Sequence, residues 1–374
     1  MNITILGSGF AALTAIKQTR KLAPNANITV IAPTEELVYY PSLIWIPARL
    51  RKGDDLRINL HNFFNRQRVQ FVEGTVQNVI NQGRTVVTDK GTYPNDGLII
   101  ASGGRFIKKL PGIEHAITPC EGILAAEKIR DRLDAMESGT IAIGFGANPN
   151  EPSAMRGGPM FEFLFGIDNL LRKQGRRKNF KIVFFNPSAQ PGLRLGEKVP
   201  EKLASMMAKQ DIDTHLGHKM VGFESNLVKT EGGEFHADLI LFMPGMTGPA
   251  WLDQSELPKS PGGMITANMQ TQVEGYQNVF VAGDNGSFPG PDWQPKQAHA
   301  ADLQAKAAAT NLVKSLQGQS DFVSFKHELI CIVDTLTHGI LIKRTEKGTT
   351  LLPPCRLLHW AKRGFEILYL RQYK

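Results

Sequence analysis

Few residues in this chain of 374 are placed to do chemistry, and they are far apart in sequence. Cys120, Cys331 and Cys355 are its three thiols. No pair has the spacing of a metal site or of a redox C-x-x-C, so no metal is expected. Each offers a single sulfur nucleophile or simply a small buried hydrophobe. Glu162 stands in an apolar, helix-like run from Pro159 to Lys173, where a buried carboxylate could move protons. Lys296 follows a Gly/Pro-rich loop, and its cation is either a surface charge or a stabiliser of developing negative charge. The remaining chemistry belongs to the backbone. Gly7-Ser8-Gly9-Phe10-Ala11-Ala12 fits G-x-G-x-x-G/A. Gly7 permits the tight turn, and Gly9 lets the main chain approach a pyrophosphate seated on a helix N-terminus. Ala12 lets that helix pack closely on the preceding strand.

Elements must hold these groups in place. Asn2 to Leu6 reads as a buried strand, Leu13 to Leu22 as a helix and Asn27 to Ile31 as a second strand. Together they form the unit that a dinucleotide site requires. The acid that ordinarily ends the second strand and binds a ribose is replaced by Ala32-Pro33-Thr34, with Glu35 or a backbone group as substitute. Val69 to Val76 reads as a strand, which in dinucleotide-binding folds passes near the adenine. The strand Asp96 to Ile100 runs into Ala101-Ser102-Gly103-Gly104, small enough to lie against a cofactor. A second α/β unit runs through Glu121–Glu137, Thr140–Gly144, Lys181–Phe185 and Ala237–Met243. The strand Asn278–Asp284 ends in Gly283-Asp284, whose carboxylate suits hydroxyl hydrogen bonds, and a long Ala-rich helix follows to Leu316.

The three signals Gly7–Ala12, Ala101–Gly104 and Gly283-Asp284 with Pro295-Lys296 resemble, in that order, the two-dinucleotide-domain flavoproteins. The resemblance implies an α/β, glutathione-reductase-like fold with two Rossmann-like domains and a C-terminal membrane-associating segment. The first domain would take 1–115 and 270–318, the second 116–269 and the last segment 319–374. It implies FAD held by Gly7, Gly9, Phe10, Ala11, Ala32, Pro33, Pro41, Val76, Ala101, Ser102, Gly103, Gly283, Asp284 and Lys296. No cysteine precedes Cys120, so the FAD would be non-covalent.

Within that group the chain is similar to the sulfide:quinone oxidoreductases and flavocytochrome sulfide dehydrogenases. Tyr39-Tyr40-Pro41-Ser42-Leu43, Met155 to Glu162, Cys331-Ile332-Val333-Asp334 and the tail from His359 to Lys374 carry the likeness. It implies that hydrosulfide attacks a sulfur beside the flavin and that electrons leave to a quinone. Cys331 matches one of the family's two cysteines. Arg156 stands where the second belongs; Cys120 resembles a further cysteine of some members, and the resemblance implies it as the partner. Glu162 would move protons, and Lys296 would face the flavin or a quinone carbonyl.

Two other readings stay open. One is a type II NADH:quinone oxidoreductase or another quinone-reducing flavoprotein; the other is an FAD-binding subunit without turnover of its own. An NADH enzyme needs a second dinucleotide turn, but Gly144-Phe145-Gly146-Ala147-Asn148-Pro149 runs into a second proline at Pro152. A helix cannot start there and face a pyrophosphate. From Leu351 the tail reads as an amphipathic helix for a membrane surface. Leu357, Leu358, Ala361, Phe365 and Leu368 lie on one face, with Arg356, Lys362, Arg363, Arg371 and Lys374 as its cations. The net charge of +8 suits an anionic leaflet. No nucleic-acid motif is seen and no apolar run is long enough to span, so a cytoplasmic protein peripheral on the membrane is expected, with a homo-oligomer left open.

Overall fold

The computed structural model describes residues 1–374. Two parallel sheets form its centre. The first has the order Val279–Val281, Gly97–Ile100, Asn2–Leu6, Asn27–Ala32, Val69–Glu73. The second has the order Ile212–Leu216, Phe180–Asn186, Gly139–Phe145, Leu239–Met243. Their strands are continuous runs of Ile, Val, Leu and Phe because both faces of a parallel sheet are covered. Ile5, Val30, Ile99, Ile141, Ile182 and Leu241 are accordingly buried. Each sheet receives a three-stranded antiparallel meander just before one of its inner or edge strands. These are Val76–Thr88 with Gly91–Pro94, and Met220–Thr230 with Gly233–His236.

The first helix, Phe10–Leu22, lies against the late helix Ala298–Leu316. Ala11, Ala12 and Ala15 meet Ala301, Ala305 and Ala308 in one core, so two helices distant in sequence approach closely over the cofactor strand. The strand expected over 69–76 ends at Glu73. Gly74 donates its N–H to the Ala32 carbonyl at 3.0 Å, and Val76 opens the meander instead.

The C-terminal part is an antiparallel sheet, Glu328–Asp334, Gly339–Thr345 and Gly348–Leu351, followed by the helix Arg356–Leu370. Its third strand was not expected, because a glycine and two threonines carry little alternation. The terminal helix is turned unusually. Leu357, Phe365 and Leu368 are 75%, 60% and 63% exposed, while His359 and Glu366 are buried beneath it with Tyr369 and Leu370. Leu358 departs from the expected outward face and packs on Gly339. Lys362 departs from the expected cationic surface: it points inward, because an acid waits for it there. No helix is long and apolar enough to cross a membrane.

Candidate functional site

The first glycine turn has the form of a cofactor cradle. Gly7 has φ +108°, and a Cβ there would collide with the Ala101 carbonyl, so glycine is required by both conformation and contact. A Cβ on Gly9, the N-cap of Phe10–Leu22, would meet nothing within 4 Å, and the same holds at Gly103 (φ +73°). Both glycines therefore border space that the chain leaves open. No acidic residue occupies the first turn of that helix, and its N-cap, Gly9, has no side chain to cap it, so the positive end faces that space unopposed. Around it the buried Ser102 Oγ, Asn285 Oδ1 and Gln297 Nε2 have no partner in the protein. Orphaned groups of this kind are rare unless a ligand completes them, and hydroxyl-rich and amide-bearing FAD has the matching donors and acceptors.

The other expected cofactor residues are placed less uniformly. Ala32 is buried and Pro33 is exposed. Val76 is buried in the meander, and Pro41 opens the 3-10 turn Tyr40–Trp45. The Phe10 ring packs on Tyr39 and on Tyr369 of the terminal helix, with centroids 5.8 and 5.5 Å away, so only its backbone faces the turn. Glu35, the substitute for a ribose acid, lies 3.4 Å from His61 Nδ1.

Asp284 is held by Arg156, whose guanidinium donates to its carboxylate and lies 6.0 Å from the Tyr40 ring. Burial works against the Arg156 charge, but Asp284 and Cys120 overcome it and raise its pKa. The residue in the family cysteine's position thus places a fixed cation against the expected cofactor aspartate and near a thiol. Lys296 is buried and donates to the Gly286 carbonyl. Burial lowers its pKa, opposed by Asp284 and Glu151.

Glu162 proves to be the centre of a buried charged cluster. Lys362 of the terminal helix donates to its carboxylate and, at 3.2 Å, to the Ile332 carbonyl. The Asp334 N–H donates to Glu162 Oε1 at 2.8 Å. The Asp334 side chain, fully buried, accepts from Trp45 Nε1 at 3.3 Å and lies 2.7 Å from His359 Nδ1. Arg51 lies over the Trp45 ring at 5.2 Å and grips Glu366 through two nitrogens. Burial raises the Glu162 pKa against the pull of Lys362, and burial opposes the Lys362 ammonium less than Glu162 and Cys331 favour it. A carboxyl that inclines to keep its proton beside a held ammonium is equipped for proton exchange.

Both expected thiols feel the charge of this cluster. Cys120 is buried in the same hydrophobic core against which Cys331 packs. Burial pushes each thiol up to about 12, Glu162 adds to the effect on both, and Arg156 pulls Cys120 the other way. Cys355 sits apart as the N-cap of the terminal helix. All three thiols are free.

The second glycine turn is filled. A Cβ on Gly144 would lie 2.6 Å from the Phe185 ring, and one on Gly146 would lie 3.3 Å from Phe242. Phe145 packs on Phe161 and Phe184. Asn148 crosses the turn to donate to the Met246 and Gly262 carbonyls, both at 2.9 Å. The next helix begins only at Gly158.

Sequence reasoning missed Trp45, Arg51, Asp334, His359 and Glu366 as members of the site. One signal was available. His359, Lys362 and Glu366 recur at helical spacing on one side of the helix, a polar stripe opposite the apolar Leu357, Phe365 and Leu368.

Comparison with known proteins gives a family and a fold. The family described as pyridine nucleotide-disulphide oxidoreductase matches residues 1–155 and 171–305. The sulfide-quinone reductase of Aquifex aeolicus is 23% identical over 358 residues, covering 89% of this chain and 81% of that protein. A type II NADH:quinone oxidoreductase of Staphylococcus aureus is 24% identical over 343 residues, covering 85% and 83%. The solved sulfide:quinone oxidoreductase of Aquifex aeolicus superposes with a TM-score of 0.90 at 21% identity, over 100% of this chain and 91% of that one. The NDH2 structure from Plasmodium falciparum gives 0.77 at 11% identity, over 100% and 95%.

Proposed function

The chain belongs to the pyridine nucleotide-disulphide oxidoreductase family, and from that premise we propose that it is an FAD-dependent, quinone-reducing enzyme of the sulfide:quinone oxidoreductase type, peripheral on a membrane surface. One observation carries the reading. Glu162 is buried against Lys362 of the terminal helix, whose apolar side faces out, and its charge acts on two buried thiols. Thiols, a proton-exchanging acid and a lipid-compatible surface are what a donor side, an acceptor side and a water-insoluble acceptor require.

The division at 1–115 with 270–318, 116–269 and 319–374 belongs to this reading. FAD would be held by the open Gly9 turn, by Ala101, Ser102 and Gly103, and by Gly283, Asp284 and Lys296. When bound it supplies two-electron transfer. Attack of hydrosulfide on a Cys120–Cys331 disulfide would form one S–S bond as it breaks the other and free one sulfur as a thiolate. Arg156 favours that charge at Cys120. On the acceptor side Glu162 would hand a proton to a quinone oxygen and regain it through the Lys362, Asp334 and His359 cluster. The outward Leu357, Trp360, Phe365 and Leu368 would sit among lipid.

A second reading, a quinone reductase with another donor, draws support from Arg156 and the NADH:quinone relatives. The filled second turn counts against NADH as that donor. An anaerobic titration of the flavin absorbance separates the two. Sulfide should bleach it, a soluble quinone should restore it, and Cys331→Ala should abolish the bleaching. Bleaching by NADH and not by sulfide overturns the proposal.

A further inference from the structure

Two arginines without a carboxylate partner, the second donating to the main chain of the first, lie where the turn Leu193–Leu195 meets the strand Gly339–Thr345. Arg344 donates through Nη1 to the Leu193 and Arg194 carbonyls, both at 2.9 Å. Arg194 donates through Nη1 to the Pro152 carbonyl, and its buried Nη2 has no partner at all. Neither forms an ion pair within 4 Å. Of the acids that act on them, Glu151 is already taken by Ser153 Oγ at 2.8 Å and Ser287 Oγ at 2.9 Å, leaving Asp292 and Glu197 at longer range. Partial burial lowers the pKa of both guanidiniums, and each Arg194 proton is made less secure by Arg344. The Arg344 guanidinium lies 5.0 Å over the Trp293 ring. Like charges do not gather around an orphaned, buried N–H without cost, and an anion placed between them removes both penalties.

The position of the pair is as informative as its charge. In the antiparallel ladder Cys331 is opposite Ile342, and Leu329 is opposite Arg344. Alternate residues of a strand share one face, so Arg344 lies on the Cys331 face, about 7 Å further along the strand. Leu329, Val333, Ile340 and Ile342 are buried on that face, and Trp293, Leu195 and Cys331 pack against the same core. The cationic pair therefore stands at the outer end of a packed sheet face on which the Cys331 thiol also lies.

We propose that Arg194 and Arg344, the latter over Trp293, form an anion-binding site at the outer end of the Cys331 face, and that its ligand is a small sulfur oxyanion. The binding follows from the two guanidiniums alone. The choice of sulfur rests on the reading of Cys331 as the sulfur-handling thiol.

Sulfate, unreactive toward thiols, is the probe. It would be titrated calorimetrically into the full-length, FAD-loaded protein, against chloride at matched ionic strength. One saturable site is expected, weakened about ten-fold or more by Arg344→Gln or Arg194→Gln, and less by Arg344→Lys, which keeps the charge and loses the planar donor pair. If Arg344→Gln fails to fold for want of its two carbonyl bonds, Arg194→Gln and Arg344→Lys carry the measurement. No heat beyond the chloride control, or equal affinity in the variants, overturns the site. Phosphate binding as tightly as sulfate leaves the oxyanion site standing and overturns its assignment to sulfur. None of these readings requires donor turnover, so the site and the sulfide activity fail independently.

Discussion

The two halves of the molecule repeat one plan and differ at one turn. Each has a parallel sheet, a central strand ending in glycine and an antiparallel meander returning to the sheet. In the first half the glycine turn leads at once into a helix, and Gly9 borders open space. In the second, Phe145, Phe185 and Phe242 close around Gly144 and Gly146, and the helix begins only at Gly158. A nucleotide site thus requires both the shared strand and a turn whose interior side chains are small. The second half has put aromatic packing where the first leaves room for a ligand.

The largest effect should come from Gly9→Val. A Cβ there meets no protein atom within 4 Å, so the apo-protein should melt as the parent does while FAD affinity falls by about a hundred-fold or more, read by flavin fluorescence quenching. A folded Gly9→Val variant that binds FAD as tightly as the parent would break the comparison. Phe185→Ala tests the other turn. It removes a ring stacked on Phe242 at 5.8 Å, should cost about 3–5 kcal/mol in denaturant unfolding, and should confer no reduction by NADH, since no helix N-terminus faces the turn. NADH reduction of that variant would show that the aromatics alone had closed a competent site.

The smallest effect is a shift along the pH axis. The packing that fills the second half also surrounds Cys120 and Cys331, and burial pushes both up to about 12. Labelling of these two thiols by iodoacetamide in the apo-protein should still be rising above pH 9, the ordinary thiol range, because the thiolate forms only as pH approaches the folded value. The sign for stability follows. The unfolded thiols release their protons first, so the contribution of these groups is complete below about pH 9 and is lost as pH rises toward 12. A labelling rate that levels off near pH 9 would mean that the two sulfurs are wetter than the core around them.

Much of the first half was legible in the sequence for a physical reason: its site is made by backbone. Gly7 and Gly9 matter through conformation and absence of side chain, and such constraints act over a few neighbouring residues. The closure of the second turn was legible in part. Pro149 and Pro152 announced that no helix could begin there, but that Phe185 and Phe242 fill the space depends on two strands brought beside the turn by the sheet. The tail shows the opposite case. Its amphipathic pattern was clear, yet Lys362 was counted among its surface cations and is found on Glu162, from which it is separated by two hundred residues of chain.

The sequence by itself determined the local units: the strand-turn-helix of residues 2–22, the two α/β repeats, the long alanine helix and an amphipathic tail. These follow from residue periodicity and from steric rules that operate within a turn or two. Only the tertiary structure decided that Asp334 meets His359, that Arg156 meets Asp284, and that Arg344 lies over Trp293. Each of these contacts joins charged or aromatic groups from different elements. Burial fixes their partners, and burial is a property of the packed whole that no window of sequence contains.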